Sequence, residues 1–236
     1  MCWTSLGRGS EMMSRIQRVV APVRGQAEEF LRRAIEKGDL MPGARLIERE
    51  ICETLGVSRP LVREALRVLE SDGLVRPLPR GGIAVTVLSP DEAMQIYMVR
   101  REIEGLAAEL FAKNADERQR DALNVIVADL QAAHADEDAD RLLDAKNRFY
   151  DLLSAGSGNA VLQGILRNLY GRIRLLRGTS LSRPGRIAQM VHELSDVASA
   201  LLGNDAATAR RLTEVHIENA MEAARETLLD ETIAVE

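Results

Sequence analysis

The sequence contains few aromatic residues and only two cysteines. Aromatic side chains make up 3% of its 236 residues, so its cores must be built mainly from leucine, isoleucine, valine and alanine, a composition that suits helices. Cys2 and Cys52 lie far apart along the chain, which argues against a disulfide framework and favours a reducing compartment. No apolar run approaches the roughly 18 residues of a membrane span, and no secretory signal is recognisable. We therefore expect a cytoplasmic protein without a membrane partner.

The chain has fewer basic than acidic residues, and its basic residues are unevenly distributed. The net charge of −5 taken alone argues against a nucleic-acid-binding protein. Residues 1–88, however, carry a net charge of +3, whereas residues 89–236 carry −8. This asymmetry is typical of a DNA-binding module joined to a domain that stays away from the DNA. The chain length also favours two modest domains.

The first part of the chain divides into a flexible N-terminal segment, residues 1–20, and a compact region, residues 21–88. Apolar residues from Val23 onwards follow a helical period that Gly38 terminates. A second short helix follows, with Ile47, Ile51 and Leu55 predicted to face inward. Cys52 lies beside them and is interpreted as a small buried hydrophobic residue rather than a reactive thiol.

A helix-turn-helix is predicted around Gly56. This glycine permits a sharp reversal, Ser58 is placed to cap the next helix, and Pro60 suits its first turn. Residues 74–76 and 83–87 can then pair as two strands around Pro79-Arg80-Gly81-Gly82, forming a β-hairpin wing. The region is therefore predicted to be a winged helix-turn-helix.

Arginines at the start of the third helix are suited to reading DNA. Arg59 and Arg63 are four residues apart and share a face, and the arginine fork matches the O6 and N7 atoms of guanine. Ser58 and the backbone amides at the helix start can hold a phosphate, and Arg80 places a cation at the wing tip. The alternative is that these arginines form only a solvated helix face.

Residues 89–236 carry helical periodicity alone. They predict an all-α antiparallel bundle with neither an internal repeat nor a long coiled coil. The fold class is therefore mainly α, with the small β-hairpin wing as its strand component. The predicted helices span approximately residues 90–112, 116–134, 138–155, 159–178, 184–203 and 205–229.

The N-terminal region resembles the DNA-binding domain of GntR-type bacterial transcription regulators. The resemblance rests on residues 38–46, Val57-Ser58-Arg59, residues 62–66 and residues 69–75, and implies a double-stranded DNA operator as partner. The family usually has Thr-Pro after Ser-Arg, whereas this chain has Pro60-Leu61, which removes the threonine contact. The residues that the resemblance places at the DNA are Arg49, Ser58, Arg59, Arg63, Arg80 and Gly81.

The second region resembles the FCD-type effector domain of the FadR subgroup, through residues 97–104, Gly158-Asn159 and residues 205–209 leading to His216. In that subgroup one Asp and three His often hold a metal ion that binds an organic acid. Here Lys146, Tyr150 and Leu194 stand at three of those four positions. One histidine cannot hold a divalent ion alone, so no metal and no cofactor is expected.

Several polar residues lie within the apolar stripes of these helices. Buried charges are usually paired or face a wet cavity. We hypothesise that Arg100 and Lys146 bind the anionic group of a small effector, while Tyr150, His216 and Asn219 supply hydrogen bonds. The alternative is that Arg100 pairs with Glu104 or another acid and that the cavity is vestigial. Three further arginines could also reach the cavity, and one histidine is interpreted as a surface residue; these are Arg172, Arg174, Arg177 and His192.

The combined prediction is a homodimeric, ligand-responsive transcription regulator, most often a repressor in this family, that binds a palindromic operator. Two alternatives remain. One is a DNA-binding architectural protein with a vestigial pocket. The other is an enzyme in the helical domain, which no nucleophile–base pair, phosphate-binding loop or carboxylate pair in the sequence supports.

Overall fold

The computed structural model describes residues 20–181 and 183–235. The predicted flexible segment, residues 1–20, lies outside them except for Val20. The fold class is confirmed: the chain is mainly helical, with one small antiparallel sheet near its N-terminus. No helix in the described part of the chain is long and apolar enough to cross a membrane.

A three-helix unit with a small sheet forms the N-terminal region. The sheet has the strand order β1-β3-β2 with both pairs antiparallel. The pairing of β2 with β3 confirms the predicted wing. β1 was not predicted, because two residues carry no readable period. The elements are α1 (Val20–Lys37), β1 (Arg45–Leu46), α2 (Glu48–Leu55), α3 (Arg59–Ser71), β2 (Val75–Pro77) and β3 (Ile83–Val85).

The core of this region lies between α1, α3 and the sheet. On α3 the buried positions are Val62, Ala65, Leu66 and Leu69, the stripe that helical periodicity places on one face. Gly56 adopts a left-handed conformation with φ 64°, which allows the tight turn between α2 and α3. This packing fixes which side of α3 faces solvent.

One local prediction in this region is wrong, and a second is correct only for the position of the residue. Ile47 is 43% exposed instead of facing inward, since it precedes α2 as its N-cap residue. Ser58 occupies the N-cap position of α3, but its side chain makes no capping hydrogen bond. Cys52 is half-buried and packs against the core, as the interpretation of it as a hydrophobic residue requires.

Six further helices form the second region, and within its described residues there is no strand. Side-chain caps start five of them, since each cap residue accepts a hydrogen bond from a backbone amide three residues further on; the caps are Ser89, Asp116, Asp138, Asn159 and Asp205. The helices are α4 (Pro90–Asn114), α5 (Glu117–Ala135), α6 (Ala139–Gly156), α7 (Ala160–Leu181), α8 (Arg186–Leu202) and α9 (Ala206–Val235).

Helix α7 packs against the N-terminal region. Gly171 lies so close to Asp72 that a Cβ at this position would overlap the Asp72 carbonyl group. Leu175, one turn further along α7, joins the core of the N-terminal region. Arg174 donates a hydrogen bond of 2.6 Å to the almost fully buried carboxylate of Glu36 on α1. The two regions are therefore joined by side-chain packing as well as by the connecting chain.

Candidate DNA interface and effector site

The solvent face of α3 carries three arginines. Arg59, Arg63 and Arg67 are exposed, while the opposite face of the helix is fully buried. Arg59 begins the helix and Arg63 follows one turn later, so both lie near the N-terminal end, where a helix in the major groove contacts bases. The structure thus leaves both predicted contact residues accessible.

Two of the predicted contact arginines are held by exposed ion pairs. The Nε atom of Arg63 lies 2.9 Å from both carboxylate oxygens of Glu48, and Arg49 lies 3.7 Å from Glu53. Solvent-exposed pairs of this kind contribute little to stability, about 0–1 kcal/mol. A DNA phosphate or base can therefore replace the carboxylate at small cost.

The wing tip presents Arg80 on a tight turn. The amides of Leu78 and Gly81 donate to Gly82 and Leu78 carbonyls at 2.9 Å, and Gly81 adopts a left-handed φ of 83°. Arg45 of β1 supports the tip by donating to the Gly81 carbonyl at 3.2 Å. No sequence pattern indicates this role for Arg45, because it depends on the pairing of β1 with β3.

At the start of α3, Pro60 is exposed and Leu61 is half-buried. Ser58 is exposed, and its hydroxyl is not used as a helix cap. Ser58, the remaining residue of the predicted interface, therefore lies at the solvent-facing start of the helix beside Arg59. Pro60 and Leu61 offer no hydroxyl group at the two positions where the resemblance implies Thr-Pro.

A hydrogen-bonded chain of polar side chains lies inside the helical bundle. The Tyr150 hydroxyl is 2.8 Å from Nε2 of His216, and Nδ1 of His216 is 2.6 Å from a carboxylate oxygen of Glu193. Asn219 donates to the other oxygen of Glu193 at 2.7 Å. Three of the predicted effector residues are thus brought together around an acid that was not predicted.

Arg186 completes this group, which we call the Glu193 network: Tyr150, Arg186, Glu193, His216 and Asn219. Arg186 donates to Glu193 at 2.9 Å and is buried, with 5% of its side chain exposed. Sequence reasoning missed both Arg186 and Glu193. The available signal was their spacing, because they alternate with buried Met190 and Val197 at i, i+4, i+7 and i+11 along α8.

Burial determines the protonation of His216. It lowers the pKa of the imidazole to about 4, with Lys146 and Arg186 adding to the decrease and Glu193 opposing it. Burial raises the pKa of Glu193, but His216, Arg186 and Asn219 together bring it below its ordinary value. At neutral pH a neutral imidazole therefore donates from Nδ1 to the carboxylate and accepts from Tyr150 at Nε2.

Arg100 is paired internally, as the alternative interpretation stated. Its Nε and Nη2 atoms donate to the two oxygens of Glu104 at 2.9 and 3.3 Å, and both side chains are almost fully buried. Burial lowers the pKa of Arg100, but the charge of Glu104 more than offsets this and raises it above the usual arginine range. The guanidinium also lies over the rings of Tyr97 and Tyr150, at 5.1 and 5.9 Å.

Two of the three further arginines point away from the bundle interior. Arg172 is exposed and lies beside Gly73 of the N-terminal region, and Arg174 pairs with Glu36. The prediction that they could reach the cavity is therefore wrong, since α7 turns this face towards the N-terminal region. The side chain of Arg177 lies outside the described residues. His192 is a surface residue as predicted, with 77% of its side chain exposed.

The residues around His216 do not fit a divalent metal ion. Lys146 is buried on α6 and contributes a positive charge that acts on His216. Leu194 packs in the apolar core of the bundle and offers no donor atom. Among the side chains that the structure describes, no group of three or more from His, Cys, Asp and Glu is placed to hold a metal ion.

Two family patterns match the chain. The pattern of bacterial regulatory proteins of the gntR family matches residues 24–85, and that of the FCD domain matches residues 95–219. The chain is 32% identical over 148 residues to the uncharacterised HTH-type transcriptional regulator YdhC of Bacillus subtilis; the alignment covers 62% of this chain and 66% of YdhC. It is 25% identical to the HTH-type transcriptional repressor RspR of Escherichia coli, over 87% of this chain and 90% of RspR.

A solved structure shares the architecture. The structure of McbR/YncC from Escherichia coli superposes with a TM-score of 0.74 at 23% identity, and the match covers 89% of this chain and 98% of McbR. YdhC, RspR and McbR are all named as regulators of transcription, and none is named as an enzyme. With the two family patterns lying over the winged helix-turn-helix and the helical bundle, the chain belongs to the GntR family of bacterial regulatory proteins and carries an FCD domain.

Proposed function

We propose that the protein is a transcription regulator that binds double-stranded DNA through α3 and the wing. The observation that carries this proposal is the exposed arginine face at the start of α3, with Arg59 and Arg63 on a helix whose other side is fully buried. Arg80 and Gly81 at the wing tip, together with Arg49 and Ser58, supply backbone contacts that fix the position of α3 on the duplex.

We further propose that the protein acts as a homodimer on a palindromic operator. A single winged helix-turn-helix reads a short half-site, and a two-fold dimer aligns two such modules with a two-fold symmetric sequence. We place the DNA-binding domain at residues 21–88 and the effector-binding and dimerisation domain at residues 89–236. The uncompensated acidity of the second domain keeps it away from the phosphate backbone.

The helical domain is proposed to bind a small anionic effector beside the Glu193 network. Burying polar side chains costs desolvation energy that their hydrogen bonds at best offset, so five of them in one bundle core favour a binding role over simple packing. Tyr150, His216 and Asn219 remain in the proposed site. Lys146 remains in it as a nearby positive charge, whereas Arg100 contributes structurally through its pair with Glu104.

Effector binding can reach the DNA-binding domain through α6. This helix carries Tyr150 of the network, and one turn earlier Asn147, which donates to Glu36 of α1 at 3.0 Å. Lys37 at the end of α1 lies 2.6 Å from Asp140 at the start of α6. A small shift of α6 therefore changes contacts to α1, which packs directly on α3.

The test is a selection of duplexes from a random pool with the full-length chain, followed by affinity measurements with small carboxylates and sugar acids present. We expect a two-fold symmetric consensus and at least one compound that changes the affinity for it. RspR is named a repressor, and we expect release of DNA on effector binding. An unchanged affinity with every compound would favour the architectural protein with a vestigial pocket. A failure to select any consensus would contradict the proposed function.

A further inference from the structure

Arg186 has hydrogen-bonding capacity that the described part of the chain does not use. Its side chain is 5% exposed, and Nη2 donates to Glu193 at 2.9 Å. Its Nε and Nη1 atoms are fully buried and have no hydrogen-bond partner among the described residues. They are the only buried side-chain nitrogen or oxygen atoms of the described residues in that position. Buried polar groups are almost always paired, so these two donors point to a missing acceptor.

The charge of Arg186 is also only partly compensated. Glu193 shares its carboxylate among three donors, since the oxygen that accepts from Arg186 also accepts from His216 and the other accepts from Asn219. Arg100 shows the contrast, because it holds both oxygens of Glu104 through Nε and Nη2. Arg186, unlike Arg100, therefore has both the free hydrogen-bond donors and the uncompensated charge to bind a further anion.

A cavity of about 260 Å³ lies next to Arg186, which forms part of its wall together with Gln189 and Asn219. Asn219 also belongs to the Glu193 network, so the cavity reaches the network directly. Its volume suits a compact organic molecule of a few carbon atoms. Arg186 forms part of the cavity wall while its Nε and Nη1 atoms are shielded from solvent, so a ligand in the cavity reaches these donors when the side chain turns towards it.

The N-terminus of α8 also favours an anion in this cavity. Gly185, also in the cavity wall, is the N-cap of α8, so no side chain caps the helix, and its first turn carries no acidic residue. Helix N-termini attract negative charge through their free amides. The remaining charges of the cavity wall are already paired, Arg183 with Glu226 at 2.7 Å and Glu222 with Arg225 at 2.6 Å.

We propose that Arg186 binds the carboxylate of the effector, in the cavity at the start of α8, with Asn219 and Gln189 lining the same site. This inference rests on the proposed effector-binding function and assigns its anion recognition to Arg186 in place of Arg100 and Lys146. The ligand is a small monocarboxylate. A second negative charge is disfavoured, because Glu222 and Glu226 form part of the wall.

The test measures binding of acetate, L-lactate, succinate and neutral acetamide to the full-length protein by saturation-transfer NMR and thermal shift. We expect acetate or L-lactate to bind at millimolar concentration or below, succinate to bind more weakly, and acetamide not to bind. Arg186→Gln is expected to weaken monocarboxylate binding by about tenfold or more, because charge-assisted hydrogen bonds are lost. Arg118→Gln, at an exposed position on α5, is the matched control and should bind as the wild type does.

Arg186→Lys keeps the charge and is expected to retain weaker binding, which separates loss of recognition from loss of folding. Equal affinity in Arg186→Gln and the wild type, or no binding of any carboxylate to the wild type, would overturn the inference. Operator binding is measured on the same samples. If an effector still changes the DNA affinity of Arg186→Gln, the proposed regulatory function stands and Arg186 has no part in it. If the wild type shows no sequence-specific DNA binding, the proposed regulatory function is contradicted, whereas carboxylate binding at Arg186 is judged by the binding measurements.

Discussion

Histidine is a common metal ligand, but in this protein the surroundings of His216 make it a hydrogen-bonding group within the bundle core. Its two ring nitrogens are both committed, to Tyr150 at 2.8 Å and to Glu193 at 2.6 Å. The positive charges of Lys146 and Arg186 favour the neutral imidazole. A proton on Nε2 would remove the acceptor of the Tyr150 hydroxyl and add charge to a buried site.

The low pKa of His216 predicts an acid-sensitive fold. The folded-state pKa of about 4 lies below the ordinary value of 6.5, so between these values the unfolded chain binds a proton that the folded chain does not. The free energy of unfolding should therefore fall as the pH is lowered through this window. His216→Gln should show a shallower fall in urea denaturation, whereas exposed His192→Asn should keep the wild-type slope. If the free energy of unfolding of His216→Gln falls with pH as steeply as that of the wild type, His216 is not the cause of the acid sensitivity.

The Arg100–Glu104 pair predicts a large loss of stability when only one partner is changed. Both side chains are almost fully buried, and Glu104→Gln would leave the guanidinium without a counter-charge. We expect destabilisation by about 3–5 kcal/mol. Glu102→Gln, on the same helix with an exposed side chain, should change the free energy of unfolding by well under about 1 kcal/mol. Similar values for both variants in urea denaturation would show that Arg100 does not depend on Glu104.

Helix α7 depends on a glycine where it meets the N-terminal region. Gly171→Ala places a methyl group against the Asp72 carbonyl, so α7 must move away from the turn that follows α3. We expect a loss of stability of about 1–3 kcal/mol, as for other overpacked contacts. Gly164→Ala is the matched control on the same helix, since nothing lies within 4 Å of its added Cβ.

Gly164→Ala should leave stability unchanged or raise it by about 0.5–1 kcal/mol, because alanine favours a helix. Thermal and urea unfolding of the two variants compare these effects. Equal stability of both would mean that α7 does not contact the N-terminal region at Asp72. A reduced effector response in Gly171→Ala with intact DNA binding would indicate that this contact also carries the signal between the domains.

The sequence predicted most elements but not the contacts between them. Five of the bundle helices lie within three residues of their predicted bounds, because their apolar stripes are long and their starts carry caps such as Asp116, while α9 runs to Val235 instead of ending at residue 229. β1 escaped prediction because it is two residues long and exists only through its pairing with β3. The approach of α7 to α1 and α3 could not be predicted, since no local pattern shows which distant segment covers a face.

Some residues of the candidate effector site could be predicted from the sequence, and others could not. The position of His216 near Tyr150 was predicted because the family motif fixes the relation of α6 to α9. Glu193 and Arg186 were missed because charged residues at buried positions of α8 do not by themselves indicate a partner. Only the three-dimensional arrangement shows that Glu193 accepts from three side chains and that Arg186 keeps two unpaired donors.

The proposed regulatory function depends on sequence-specific DNA binding by α3. The direct measurement is the affinity of wild type, Arg63→Ala and Arg118→Ala for the selected operator and for unrelated duplexes at one fixed salt concentration. Arg63→Ala should weaken operator binding by about 1–3 kcal/mol, roughly fivefold to a hundredfold, and relax the sequence preference, while Arg118→Ala matches the wild type. Unchanged affinity and preference in Arg63→Ala would contradict the account.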